Sequence, residues 1–180
     1  MTKTIYLTSL FLLTAIICSY GQNKMLVGKK HTIFVDIPKN WVQAQNIHLP
    51  FFIKPDEKNV NERTYSYVYG LDYEGNPDLN GWIEGTTKHL IENNKGLKVD
   101  SLNLQFENLK KDDYLTGRYK TIVYEYEDKR KEVLLLVECK NTIVTCVLSA
   151  VNDQEYQKHI RVITDLGKSL RVLGTKIKLE

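Results

Sequence analysis

Two apolar runs in residues 131–151 dominate the hydrophobic pattern of the chain, and they meet at Lys140-Asn141-Thr142. This stretch is long and apolar enough for the centre of a sheet, which predicts a β-hairpin. A two-residue loop at Asn141-Thr142 brings apolar residues of the two strands opposite each other on one face of the hairpin. These residues are Val133, Leu135, Val137 and Cys139 on the first strand and, in the same order, Ala150, Leu148, Cys146 and Val144 on the second. A loop at Lys140-Asn141 keeps the same faces, because side chains alternate with a period of two. The pattern therefore predicts one fully buried face.

Shorter alternating segments predict five further strands. They cover residues 31–37, 51–54, 64–73, 97–106 and 114–126, with a β-bulge expected at Gly117. Pro38 and Pro55 end the first two strands, because proline cannot donate to a central ladder. Trp41 follows the turn after Pro38 and is expected to pack on the core.

Two segments have helical spacing. Residues 80–94 place Trp82, Ile83 and Leu90 along one side, and Gly96 is a suitable C-terminal stop. After Asn152, which precedes Glu155 by three positions as in a capping box, apolar residues recur every three or four positions. These residues are Tyr156, Ile160, Ile163, Leu166 and Leu170. We expect one amphipathic helix there, a polar tail before residue 31 and a short extended tail after residue 170.

Strands joined by short turns and covered by helices predict an α+β fold. The expected architecture is a single-domain α/β/α sandwich, with a central antiparallel sheet of about six or seven strands and two main helices. Residues 22–180 are long enough for one core, and no linker divides them.

Four features resemble the PsbP-like family, named for an extrinsic lumenal subunit of photosystem II. They are Ile37-Pro38-Lys39-Asn40-Trp41, the helix around Trp82, the hairpin at residues 133–150 and the closing Leu166-Gly167-Lys168-Ser169-Leu170. The resemblance covers residues 32–173, and a Ran-binding nuclear import factor shares the same fold. It points to the family's exported bacterial members. No functional motif of the family has a counterpart here, so the resemblance implies no site residue.

The first 21 residues have the pattern of a cleaved secretory signal. Lys3 precedes a mostly apolar stretch, and small residues at Ser19 and Gly21 fit a cleavage site before Gln22. The alternative is a lipoprotein anchor at Cys18, although Ile17 stands where a small residue is preferred. No other stretch could cross a membrane, so the mature chain is expected to be soluble and exported to the periplasm or beyond.

Charge and motifs exclude several function classes. A net charge of +3 is too small to indicate a nucleic-acid partner. The four histidines lie in separate segments without metal-binding spacing, and the chain has neither a glycine-rich phosphate loop nor a nucleophile elbow. The sequence therefore predicts no catalytic residue and no cofactor. An enzyme with a dispersed active site remains an alternative, because catalytic groups meet in space and not in sequence.

A weak metal candidate lies between the third strand and the first helix. Asp72, Glu74, Asn76 and Asp78 supply oxygens at alternate positions around Gly75, as in a calcium loop. The glycine comes at the fourth place instead of the sixth, and no glutamate stands at the twelfth. The alternative is a solvated turn in which Asp78 or Asn80 caps the helix.

Aromatic side chains supply the best binding candidates. Tyr65, Tyr67 and Tyr69 share one strand face, and Phe51 and Phe52 follow an apolar loop at residues 46–50. Aromatic rings give rigid contact area to a partner, or they pack under a helix. We expect a non-enzymatic protein that docks to an unidentified protein of the envelope. A small-molecule or lipid carrier is the alternative, and it requires a cavity under the helices.

The two cysteines of the hairpin are predicted to be free thiols. An even count in an exported chain favours a disulfide. In the register with the Asn141-Thr142 loop, however, Cys139 and Cys146 are diagonal neighbours roughly 7–8 Å apart, beyond the range of about 4.4–6.8 Å for bonded cysteines.

Overall fold

The structure is a computed structural model that describes residues 22–175. The predicted signal peptide, its cleavage site near Gly21 and the possible anchor Cys18 lie outside the described residues. None of the helices within residues 22–175 is long and apolar enough to cross a membrane.

Ten strands and three α-helices follow one another within residues 22–175. In order they are β1 (Asn23–Val27), β2 (His31–Asp36), β3 (Trp41–Gln43), β4 (Phe51–Pro55), β5 (Tyr65–Asp72), α1 (Leu79–Asn93), β6 (Lys98–Leu102), β7 (Leu115–Glu125), β8 (Lys131–Cys139), β9 (Thr142–Ala150), α2 (Asp153–His159), α3 (Arg161–Ser169) and β10 (Arg171–Gly174). A 3-10 turn at Glu107–Leu109 lies between β6 and β7.

Seven strands form the large antiparallel sheet, in the order β3-β4-β5-β9-β8-β7-β6. This confirms the predicted α+β class and the strand count of the central sheet. The bulge predicted at Gly117 is also present: the residue has a φ of +81°, and the register of β7 against β8 shifts between Leu115 and Tyr119.

The predicted hairpin is β8–β9, and its turn is at Lys140-Asn141. Val133 lies opposite Leu148 and Glu138 opposite Ile143, so the Asn141-Thr142 loop is wrong and the alternative loop is correct. The expected faces survive, because the two registers differ by an even number of residues. Burial exceeds the expectation: every residue of β9 is buried, on both faces of the strand.

The second sheet was not predicted. It has three antiparallel strands in the order β1-β2-β10, so the segments expected as tails are its two outer strands. Backbone pairing with β2 holds them, as in the Met25–Phe34 and Val172–Ile33 pairs.

Apolar side chains form a core on each face of the large sheet. One core lies between that sheet, β2 and the helix α3, and it includes Leu135, Cys146, Ile163 and Leu166. The other lies beneath α1 and includes Leu79, Tyr124 and Leu136. The sheet is thus buried from both sides, as an α/β/α sandwich requires.

Two elements differ from the predictions in their boundaries. The expected strand at 97–106 ends at Leu102 in β6, and the chain then leaves β7. The expected closing helix is divided at Ile160 into α2 and α3, where Ile163 N–H donates to the Ile160 carbonyl over one short turn. Asn152 caps α2 as predicted, since its Oδ1 accepts from Glu155 N–H at 2.9 Å.

Candidate binding surface

Four aromatic rings form a row across β4 and β5, on the α1 side of the large sheet. We call Phe52, Tyr65, Tyr67 and Tyr69 the aromatic row. Ring centroids are 5.1 Å apart between Phe52 and Tyr65, 6.1 Å between Tyr65 and Tyr67 and 5.9 Å between Tyr67 and Tyr69. The period of two in β5 aligns the three tyrosines, and Phe52 pairs with Tyr67 across the ladder.

All four side chains of the aromatic row are half-buried. Burial, followed by the negative charge of Glu132, raises the pKa of the Tyr67 phenol above its ordinary value. Burial also raises the pKa of Tyr69. The Tyr67 and Tyr69 phenols therefore stay neutral at physiological pH, and the aromatic row presents part of an apolar surface with polar hydroxyls at its rim.

Phe51 does not belong to this surface. Its side chain is 0% exposed and packs in the core on the α3 side of the sheet. Phe51 and Phe52 are consecutive in β4, so they point to opposite faces. The proposal of Phe51 as a partner-binding residue is therefore corrected, and Phe52 is the one that joins the tyrosines.

The β3–β4 loop, which leads into Phe52, carries an exposed apolar side chain. Asn46 Oδ1 accepts hydrogen bonds from the backbone N–H groups of His48 at 2.9 Å and Leu49 at 3.1 Å. Ile47 lies within this turn, directly after Asn46, and its side chain is 94% exposed. The loop returns directly into Phe52, whose carbonyl accepts from Ala44 N–H at 2.9 Å. Ile47 and the aromatic row thus lie on connected segments.

The proposed calcium ligands have other partners. Glu74 pairs with Lys30 at 3.2 Å, and Asp78 caps α1 by accepting from Asn80 N–H at 3.1 Å. Within residues 22–175 no group of three or more histidine, cysteine, aspartate or glutamate side chains is arranged to hold a metal ion. Asp78 thus has the capping role that the sequence offered as the alternative, and Asn76 is exposed in the turn.

Asp72 belongs to a partly buried polar network that the sequence did not reveal. His31 Nδ1 donates to Asp72 Oδ1 at 2.7 Å, and the Thr142 hydroxyl donates to the same oxygen at 2.8 Å. Burial opposes ionisation of the carboxyl, but these hydrogen bonds outweigh it and hold the pKa of Asp72 below its ordinary value. The Gly28 and Gly70 backbones both lie close to the His31 ring, since a Cβ at either position would be 2.5 Å or less from a ring atom.

The other histidines divide into exposed and buried side chains. His48 and His89 are exposed, whereas His159 is only 6% exposed. Its ring meets Trp41 edge to face at 5.5 Å, which confirms that Trp41 packs on the core. Burial lowers the pKa of His159, so this imidazole is neutral at physiological pH.

Comparisons with known proteins identify the fold. No protein-family model matches the chain, and no curated protein matches it. Two solved structures are similar along nearly the whole chain. The solution structure of cyanobacterial PsbP (CyanoP) from Synechocystis sp. PCC 6803 has 11% identity and a TM-score of 0.51, and the match covers 86% of this chain and 95% of that one. LpqN, a protein involved in cell envelope biogenesis of Mycobacterium tuberculosis, has 12% identity and a TM-score of 0.52, with 90% and 95% covered. The chain therefore has a PsbP-like fold.

Proposed function

We propose that the chain is an exported, non-enzymatic envelope protein that docks to another protein through Ile47 and the aromatic row. One observation carries this proposal: a 94%-exposed isoleucine at the tip of a turn that leads into four half-buried aromatic rings. Covering an exposed apolar side chain with a partner removes it from water, which is favourable. Aromatic residues are enriched among the interface residues that dominate binding energy.

The envelope location has two supports. LpqN shares the fold and is described by its role in cell envelope biogenesis. Residues 1–21 have the composition of a secretory signal, and we propose cleavage near Gly21 to release residues 22–180 as a single domain.

The packing favours docking over the two alternatives. A carrier needs a cavity under the helices, but Ile163 and Leu166 of α3 fill that space and are 0% exposed. An enzyme needs reactive groups that reach a substrate. The His31 ring instead lies against the Gly28 and Gly70 backbones, and its hydrogen bond to Asp72 connects β2 to β5.

Capture from the envelope fraction tests the proposal. The bait is the tagged protein, with Ile47→Asp as the test variant and Ile91→Asp as the matched control, since Ile91 is also exposed, at 51%, but lies on α1. We expect a protein captured by the wild type and by Ile91→Asp and lost with Ile47→Asp, at equal melting temperatures. Equal capture by all three baits would contradict the assignment of Ile47 to the interface.

A further inference from the structure

The small sheet packs one of its faces on the core and turns the other face to solvent. In β2, Ile33 and Val35 are buried in the core that also holds α3, and the residues between them point the opposite way. We call the solvent side the outer face. The strand pairing assigns eight side chains to it: Asn23, Met25, Val27, Thr32, Phe34, Asp36, Arg171 and Leu173. The aromatic row belongs to the other core, beneath α1, so the outer face is separate from the proposed protein-docking surface.

Exposed apolar side chains are concentrated on the outer face. In the described part of the chain seven large apolar side chains are exposed, and three of them lie here: Met25 at 60%, Val27 at 61% and Leu173 at 56%. The register joins them into one patch, because Val27 and Leu173 both pair with Thr32, and Met25 pairs with Phe34. Single exposed apolar residues are normal, whereas a contiguous apolar patch marks an interaction site.

Positive charge is concentrated at the end of the patch that lies beside the β1–β2 turn. Lys29 is exposed in this turn. The chain also leaves β10 at this end, where Thr175 N–H donates to the Lys30 carbonyl at 3.0 Å. Lys176 and Lys178 follow directly in the sequence. Several cations are therefore connected to the apolar end of the outer face.

Arg171 adds a cation within the patch, while the acidic residue of the small sheet lies away from the turn. The Arg171 guanidinium is 5.5 Å from the centroid of the Phe34 ring. Asp36 pairs with Asn23 and accepts from its side-chain amide at 2.9 Å. Asn23 is four positions from Val27 along β1, which is about 13 Å. This separation exceeds the screening length of about 8 Å at physiological ionic strength, so the carboxylate does not cancel the charge at the turn.

The size and composition of the outer face favour a lipid surface over a protein partner. A stable protein interface takes about 20–30 residues from each partner, whereas the outer face has eight side chains. Lysine is also depleted in protein interfaces. Anionic lipid headgroups instead attract lysine and arginine, and apolar side chains beside those cations enter the boundary between headgroups and acyl chains.

We propose that the outer face docks on an anionic lipid bilayer, with the β1–β2 turn leading. Met25, Val27 and Leu173 enter the headgroup boundary, and Lys29 and Arg171 pair with the headgroup phosphates. The aromatic row remains accessible to a protein while the chain is bound, because it lies on the other side of the large sheet.

Co-sedimentation with lipid vesicles tests this surface. The protein is a chain that begins at Gln22, which keeps every strand and helix in the described part of the chain and removes any contribution from the signal segment or from a lipid at Cys18. The vesicles are phosphatidylcholine alone and an equal mixture of phosphatidylcholine and phosphatidylglycerol. We expect at least about tenfold tighter binding to the mixed vesicles, because each cation near an anionic surface contributes. Added salt should weaken that binding through screening.

Matched variants locate the contact. Leu173→Ser and Lys29→Gln should each weaken binding to the mixed vesicles about fivefold, since one removes an inserted apolar side chain and the other a cation. Ile91→Ser and Lys88→Gln are the controls, because both residues are exposed on α1, and neither should change binding. Lys29→Gln lies in an exposed turn, so it tests the surface even if Leu173→Ser lowers the melting temperature.

Four results would overturn the proposal. The first two are no binding to the mixed vesicles and equal binding to both kinds of vesicle. The third is an equal loss of binding in the control variants. The fourth is a dimer, formed without lipid, that Leu173→Ser dissociates, because the outer face would then be covered by a second copy of the chain.

Discussion

The His31 imidazole between two glycines makes a quantitative prediction for Gly70→Ala. A Cβ at position 70 would lie 2.5 Å from His31 Nε2 and 2.6 Å from Cε1, well inside van der Waals contact. The ring has little room to move, because the Gly28 backbone also lies so close that a Cβ there would be 2.2 Å from His31 Cε1. The new methyl group must therefore displace the imidazole from its hydrogen bond with Asp72.

Two contributions set the loss of stability caused by Gly70→Ala. Overpacking a tight site costs about 1–3 kcal/mol, and a hydrogen bond to a charged group is worth about 1.5–3 kcal/mol. The two costs do not add fully, because a ring that moves to relieve the overpacking weakens its hydrogen bond with Asp72. We therefore expect Gly70→Ala to lower the free energy of unfolding by about 2–4 kcal/mol. That is a large part of a total of about 5–15 kcal/mol.

A double-mutant cycle isolates this contact. In a His31→Ala background the obstacle is gone, so Gly70→Ala should cost less than about 1 kcal/mol, since alanine also restricts the unfolded chain. The assay is urea unfolding followed by the fluorescence of Trp41 and Trp82. Equal costs of Gly70→Ala in the two backgrounds would refute the reasoning, because the penalty would then not arise at His31.

Three further predictions concern the core, the thiols and pH. Ile163→Asp should leave the protein unfolded or several kcal/mol less stable, because Ile163 is 0% exposed and a buried unpaired charge is costly. Thermal unfolding followed by circular dichroism checks this, with Ile91→Asp as the exposed control. A melting temperature near that of the wild type would count against the core assignment. Burial raises the pKa of Cys139 and of Cys146 to about 12, so neither thiol should react with iodoacetamide until the protein unfolds, whereas a mass two units below the reduced value would reveal a disulfide. Because the folded pKa of Asp72 lies below its ordinary value of 3.8, its charge stabilises the fold fully above that value, and the stabilisation is lost as the pH falls through the folded pKa. The stability difference between wild type and Asp72→Asn should therefore shrink as the solution is acidified below pH 5; a difference that stays constant in acid would contradict it.

The sequence predicts which side chains share a sheet face better than it predicts the pairing register of the strands. Alternation in β8 and β9 determines which residues share a face, but moving a partner by two positions preserves that pattern. The turn at Lys140-Asn141 is held by distant groups: Tyr73 N–H donates to the Asn141 carbonyl at 2.8 Å, and the Tyr114 hydroxyl donates to Asn141 Oδ1 at 2.5 Å. Neither contact has a local signal. The register places Leu135 opposite Cys146, where the predicted register had Val137. Both thiols are free as predicted.

The small sheet and the polar network were missed for a related reason. β1 alternates between exposed and half-buried residues, so its hydrophobic signal is weak and backbone pairing with β2 defines it. His31 and Asp72 are 41 positions apart, and only the packing of β2 on β5 joins them. Phe51, by contrast, could have been excluded from the sequence. It and Phe52 are adjacent in one strand, so only one of them can join the tyrosine face.

Site-specific photo-crosslinking in intact cells tests the docking surface most directly. A photoreactive phenylalanine analogue replaces Ile47, with the same analogue at Ile91 as the control for an equally apolar but unrelated exposed position. The account predicts an ultraviolet-dependent adduct with one envelope protein at position 47 and none at position 91, and loss of that adduct when Tyr65 is changed to serine. Adducts of equal yield at both positions, or none at position 47, would contradict it.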